Sequence, residues 1–207
     1  MTRATTKPLT FEEFLEVCPE DGIYEFVDRK IVEMEPTRAH QNVTRFIAKC
    51  LDREIDRLEL GLIVERTAVI RTVTKQGQEQ GRKPDGSVIN ESLWNEDLSS
   101  YSALLKPLQL AVEVASTNWR DDYIDKLDEY QRLGIFEYWI VDYLPLATAE
   151  YIDNNKVPTI SVYVLVNGQY QLSQFRDTER IVSPTFPELN LTVEQVVAAS
   201  LPRKRSY

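Results

Sequence analysis

The sequence predicts a mixed-sheet α/β or α+β domain, and three observations carry that reading. Apolar residues recur at helical spacing from Val43 to Leu58, which sets one long helix. Short β-branched runs bounded by turn residues set strands on either side of a second helix. The last third alternates and turns like an antiparallel meander.

Each element has a local signal. Thr10-Phe-Glu-Glu13 is a capping box ahead of Phe11, Phe14 and Leu15, so a short helix starts there. Residues 23–27 and 30–34 read as a hairpin around Asp28-Arg29. Thr37 opens the long helix, which runs to about Leu60. Residues 62–65 and 68–73 follow as strands. The polar, glycine-containing stretch 75–81 reads as a mobile loop leading into a strand at Pro84-Asp85. A loop from Asn90 to Lys106 precedes an apolar strand at 107–116. A helix from about Trp119 to Leu133 ends on Gly134 as a C-cap. Residues 137–142 form a strand, 159–165 and 169–175 the meander, and a short helix from about Thr192 closes the chain. One domain accounts for residues 1–207, with a core of about 8–195 and a basic tail at 202–207.

The composition is that of a folded globular protein, with 43% hydrophobic and 28% charged residues. Cys18 and Cys50 are far apart and form no metal-spaced pair, which suggests a reducing, cytoplasmic setting. The N-terminus leads into a polar capping sequence rather than an apolar signal core. No apolar run approaches the roughly 20 residues that span a bilayer. A net charge of −9 argues against a general nucleic-acid coat. It leaves room for a local basic patch, for which Arg38, Arg45 and Lys49 on the long helix and Arg203-Lys204-Arg205 in the tail are candidates. The tail also reads as an ordinary solvated terminus.

Glu113 is the most informative residue. It stands in Pro107-Leu-Gln-Leu-Ala-Val-Glu-Val-Ala-Ser116, a run that reads as a strand buried on both faces. An ionised carboxylate there costs several kcal/mol unless a metal, a cation or hydrogen bonds compensate it. Alternation puts Leu110, Val112 and Val114 on one face and Ala111, Glu113 and Ala115 on the other, where the small alanines leave room beside the acid. Asp85, after Pro84, is a second isolated acid, readable as an Asx turn or as a ligand. Lys126, in the second turn of the next helix, leans back toward the end of the Glu113 strand. An i−4 pair with Asp122 competes with that reading. Glu25 shares a strand face with Ile23 and Val27 and reads either as an edge gatekeeper or as a fourth site residue. His40, the single histidine, reads as a surface or capping residue. There is no phosphate-binding glycine loop.

Glu25, Pro84-Asp85, Glu113-Val-Ala-Ser116, Lys126 and Tyr130-Gln-Arg-Leu-Gly-Ile-Phe-Glu-Tyr-Trp-Ile-Val-Asp142 together resemble a bacterial family of restriction endonuclease-like proteins. This is the Uma2-type domain, placed in the PD-(D/E)XK nuclease superfamily. The resemblance covers roughly residues 8–195 and implies a mixed sheet, flanked by helices, that presents its acids at one edge. It implies Asp85 and Glu113 as metal ligands, the Val114 carbonyl as a third contact and Glu25 beside the metals as an additional ligand. The chain departs from the superfamily motif at Ala115, where a lysine would stand, and the resemblance implies Lys126 as its migrated substitute. Gly86 and Ser87 replace apolar strand residues and weaken the strand there.

Carboxylates and a carbonyl are hard oxygen ligands, suited to Mg²⁺ or Mn²⁺ and poorly suited to Zn²⁺. The expectation is therefore a Mg²⁺-dependent DNA endonuclease, acting as a homodimer on two strands. Two alternatives remain. One is a non-catalytic nucleic-acid-binding or assembly protein on the same scaffold. The other is a transposon-associated accessory nuclease that needs a partner. Trp94, Tyr101, Tyr163, Tyr170 and Phe175 are candidate interface anchors, or else they close the core.

Overall fold

The first helix, α1 (Phe11–Val17), is capped as its sequence dictates: Thr10 Oγ1 accepts from the Glu13 N–H while the Glu13 carboxylate accepts from the Thr10 N–H. The structure is a computed structural model describing residues 8–19, 21–97, 103–152 and 156–202. Tyr101 and Arg203-Lys204-Arg205 lie outside the described residues. After α1 comes a hairpin of β1 (Tyr24–Val27) and β2 (Lys30–Glu33), closed by Asp28 at φ 50° and Arg29 at φ 63°. That left-handed pair supplies the twist a two-residue hairpin turn needs. Helix α2 (Arg38–Leu58) starts on Thr37, whose hydroxyl accepts from the His40 N–H.

Four strands follow: β3 (Leu62–Glu65), β4 (Val69–Val73), β5 (Glu79–Arg82) and β6 (Gly86–Asn90). The strand β5 corrects the expectation of a mobile loop over 75–81. Only 74–78 turn, with Gly77 at φ 79°, and Glu79–Arg82 pairs with β4 on one side and β1 on the other. Glu-Gln-Gly-Arg has little β-propensity, so two flanking strands impose the conformation. Asp85 sits just before β6, which pairs with β8 despite Gly86 and Ser87; both residues are buried there. The expected loop at 90–106 holds a short helix, α3 (Glu91–Trp94), and a two-residue strand, β7 (Ala103–Leu104).

Strand β8 (Leu110–Val114) is buried at every position, as its apolar run requires. The helix after it does not start as an α-helix. Asp121–Lys126 form a π-helical turn that runs into α4 (Leu127–Leu133), which ends on Gly134 at φ 91°. Strand β9 (Glu137–Asp142), helix α5 (Ala149–Ile152), the hairpin β10 (Thr159–Val166) and β11 (Gln169–Arg176), and helix α6 (Val193–Ala198) complete the order.

The strands form two mixed sheets. The first has the order β2-β1-β5-β4-β7 and the second β11-β10-β9-β8-β6-β3. In the second, β8 and β9 are parallel, joined by the π turn and α4, while β9, β10 and β11 are the antiparallel meander. Leu110, Val112, Val114, Trp139 and Val141 pack one face of this sheet against α2 and α6, through Val43, Ile47, Leu51 and Val196. Ala111, Ala115, Tyr138 and Ile140 pack the other face against Tyr123 and Tyr130. Tyr163, Tyr170 and Trp94 pack into this second core and Phe175 into the first, so these aromatics close the interior. No helix of the described residues is long and apolar enough to cross a membrane.

Candidate active site

Parallel pairing of β8 with β9 brings the C-terminal end of β8 to the point where the chain leaves for the π turn. Glu113, on the alanine-bearing face, points toward that turn. Lys126 answers it: its Nζ lies 3.1 Å from Glu113 Oε2, 3.2 Å from Glu25 Oε1 and 3.5 Å from Asp122 Oδ1. Both sequence readings of Lys126 therefore hold at once. Tyr130 Oη donates to Glu113 Oε1 at 2.7 Å. Glu25 is 2% exposed, which removes the edge-gatekeeper reading: β1 delivers it into the centre of the cluster.

Asp85 completes the site from the second sheet. Its Oδ2 accepts from the Val114 N–H at 2.8 Å and lies 3.1 Å from His40 Nε2. His40 Nε2 is also 3.0 Å from the Val114 carbonyl oxygen. Both partners are acceptors, so Nε2 carries the proton. Nδ1 is buried without a hydrogen-bond partner among the described residues. His40 is thus a buried site residue, in place of the surface role its isolation in the sequence suggested. Glu25, His40, Asp85, Glu113, Val114, Asp122 and Lys126 all line one cleft of about 450 Å³.

The sequence reading gave no site role to His40, Asp122 or Arg82. His40 could have been found from its register, because it precedes Val43, Thr44 and Ile47 on the buried stripe of α2. Asp122 follows from Lys126 by the i,i+4 rule once Lys126 is turned inward. Arg82 stands between the loop assigned to 75–81 and the strand expected at Pro84-Asp85, so neither assignment singled it out. It is 2% exposed and binds Glu129 through two nitrogens at 2.8 Å, Glu25 at 3.3 Å and Asp121 at 3.2 Å.

Acids outnumber bases in this interior. Glu25, Asp85, Glu113, Asp121, Asp122 and Glu129 face Arg82 and Lys126, with His40 beside Asp85. Burial tends to push Glu25 up, but Lys126 and Arg82 outweigh it and hold Glu25 below the usual carboxylate range. Burial pushes Glu113 well up despite Lys126. Asp122 is pushed up to about 7 by burial, and Asp121 and Asp85 add to the rise. Burial opposes the charge on Lys126, yet Glu113, Glu25 and Asp122 keep it protonated with a raised pKa. Asp85 and Val114 raise His40 against the effect of its burial.

The donor chemistry suits a hard divalent cation: carboxylates from Asp85 and Glu113 beside a backbone carbonyl, in a pocket with excess negative charge. Among the described residues no three side chains of His, Cys, Asp or Glu form a ready ion cage.

The family model Uma2, described as "Putative restriction endonuclease", matches residues 11–194. The fold also matches the crystal structure of a "putative nuclease belonging to DUF820" from Anabaena variabilis ATCC 29413. The TM-score is 0.71 at 16% sequence identity, covering 94% of this chain and 100% of that one. No curated protein matches the sequence. A match that runs from α1 to the start of α6 takes in every strand and every residue of the cleft, and the chain belongs to the Uma2 family, with a nuclease-like fold.

Proposed function

We propose that the protein is a Mg²⁺- or Mn²⁺-dependent endonuclease that hydrolyses DNA phosphodiester bonds in this cleft. The observation that carries the reading is the placement of Lys126 between Glu113 and Glu25, beside Asp85 and the Val114 carbonyl. It supplies, from a different element, the lysine that Ala115 omits. Asp85, Glu113 and the Val114 carbonyl would hold the cation. When bound, the ion supplies charge stabilisation at a phosphoryl oxygen and a water that loses its proton more readily.

The protein's own groups do the rest. Lys126 orients the attacking water and stabilises negative charge developing on the phosphoryl group. Glu25, already engaged by Lys126, Arg82 and the Lys83 N–H, anchors that lysine rather than binding the ion. Tyr130 fixes the Glu113 carboxylate. His40 keeps Asp85 and the Val114 carbonyl at a set spacing. A non-catalytic scaffold is the second reading. It is favoured by the way Lys126 itself neutralises part of the acidic cluster.

Calorimetric titration of Mn²⁺ into wild type and Glu113→Gln, with plasmid nicking on the same samples, separates these readings. Binding and nicking in wild type, both lost in the variant, support the metal nuclease. Binding without nicking supports the scaffold. Absence of binding removes the metal from the proposal.

A further inference from the structure

Six acids line the cleft; Glu33 and Glu35 are exposed, and of the other four, three have their carboxylates committed. Glu25 accepts from the Lys83 N–H at 3.1 Å and faces Arg82 and Lys126. Asp85 accepts from the Val114 N–H and meets His40. Glu113 accepts from Tyr130 Oη and meets Lys126. Asp122 differs. Its carboxylate makes one ion pair, the 3.5 Å contact with Lys126, and no hydrogen bond among the described residues. It is nonetheless 6% exposed and part of the cleft wall. A buried acid whose oxygens are left facing a cleft is unusual, because buried polar groups ordinarily find hydrogen-bond partners.

The backbone holds Asp122 there deliberately. The π-helical turn over Asp121–Lys126 is a rare conformation that concentrates at functional sites. It is pinned from the sheet below, where Tyr138 Oη, itself buried, donates to the Asp122 carbonyl at 3.0 Å. The turn thus carries two cleft groups, Asp122 and Lys126, from one fixed point.

We propose that Asp122 is a further catalytic residue of this site, donating a proton to the leaving oxygen of the phosphodiester. This rests on the nuclease reading above. The oxygen of water bonds to phosphorus while the bond from phosphorus to the leaving oxygen breaks, and its electron pair stays on that oxygen. The Asp122 proton moves to the leaving oxygen, and the proton shed by water restores the Asp122 carboxyl. One water is consumed and no other reactant is needed. Lys126 remains the charged partner of the phosphoryl group, so the two residues of the π turn divide the work. Burial among like charges suits Asp122 to the role, since its pKa is pushed up to about 7. The charged and titratable groups around it are Lys126 and Asp121 on its own turn, Glu113 from β8, Asp85 before β6, Glu25 from β1, His40 from α2, and Tyr138 from β9.

Asp122→Asn tests the assignment with two substrates. One is plasmid DNA, whose alkoxide leaving group needs a proton. The other is a p-nitrophenyl phosphodiester, whose phenolate leaves without one. The variant is expected to lose about 10²-fold or more on DNA and far less on the nitrophenyl ester. Wild-type cleavage of DNA should fall on the alkaline side of its pH profile, and that limb should vanish in the variant. Mn²⁺ affinity by calorimetry should stay within about twofold, and carbon-13 carboxyl spectra should show one aspartate titrating near neutrality that the variant lacks. Tyr138→Phe, which keeps the ring and removes only the pin on the turn, should lower DNA cleavage with Mn²⁺ affinity unchanged. Equal losses on both substrates would make Asp122 structural, and joint loss of Mn²⁺ affinity would make it a ligand; either overturns the assignment. A wild type that binds Mn²⁺ but cleaves neither substrate overturns the nuclease reading, and the assignment with it.

Discussion

Lys126 is the residue on which the cluster balances. It is the one cation shared by Glu25, Glu113 and Asp122. Removing it leaves three buried carboxylates with Arg82 as the nearest compensation, and Arg82 is already divided among Glu25, Asp121 and Glu129. Lys126→Met should therefore cost about 3–5 kcal/mol, as breaking a buried pair from one side does. Glu113→Gln removes one of several surplus negative charges and leaves Lys126 two partners, so it should cost far less. Urea unfolding of the two variants checks this, and the reverse order would show that Glu113 is the main support of Lys126. The contrast also explains what was legible. Glu113 announces itself as one charge in an apolar strand, and Lys126 follows from the lean of helical side chains. Arg82 does not, because its partners come from elements distant in sequence: Glu129 is 47 residues from Arg82. A charge buried by long-range contacts looks locally like a charge in solvent.

At the scale of elements, strand β5 shows where local reading stops. The limits of β3 and β9 match the apolar runs residue for residue, and the caps of α1, α2 and α6 fall on Thr10, Thr37 and Thr192 as their hydroxyls require. Each of those signals lies within a few residues of its effect. Glu79–Arg82 has no such signal and becomes a strand because β1 and β4 bracket it. Gly81 is the part of that stretch the packing needs. A Cβ there would lie 3.0 Å from Phe26 Cβ, 3.1 Å from the Phe11 ring and 3.2 Å from the Phe14 ring. Gly81→Ala should thus push α1 off the first sheet and cost about 1–3 kcal/mol, as overpacking does. Thermal denaturation checks it; an unchanged midpoint would mean the three phenylalanines yield freely. The mixed character of the fold was legible. Its division into two sheets was not, since strand order is decided by pairing and not by pattern.

For the whole molecule, the surplus of buried acid sets how stability depends on pH. Asp122, pushed up to about 7, and Glu113, raised by burial, bind protons more tightly folded than unfolded. Their burial costs stability at pH values above their folded range, and the cost lifts as the pH falls toward the ordinary carboxylate range. His40, also raised, adds stability below its ordinary value and loses it as the pH rises through its folded value. Glu25 acts the other way. Its pKa is lowered, so its contribution is present above the ordinary carboxylate range and is lost as the pH falls below it. These signs place the stability maximum on the mildly acidic side, at roughly pH 5 to 6. Without divalent cations the melting temperature should therefore drop on going from pH 6 to pH 8, by on the order of 5 °C for a chain of this size. Saturating Mn²⁺ at pH 8 should recover most of the loss, because an ion bound to the folded state offsets the same unpaired charge that protons neutralise at pH 6. Asp122→Asn should flatten the profile without any metal. Scanning calorimetry of the wild type at the two pH values, with and without Mn²⁺, reads all of this directly. A melting temperature that rises from pH 6 to pH 8 would mean that the buried acids are already compensated within the fold. The charge argument for a cation in the cleft would then lose its physical basis.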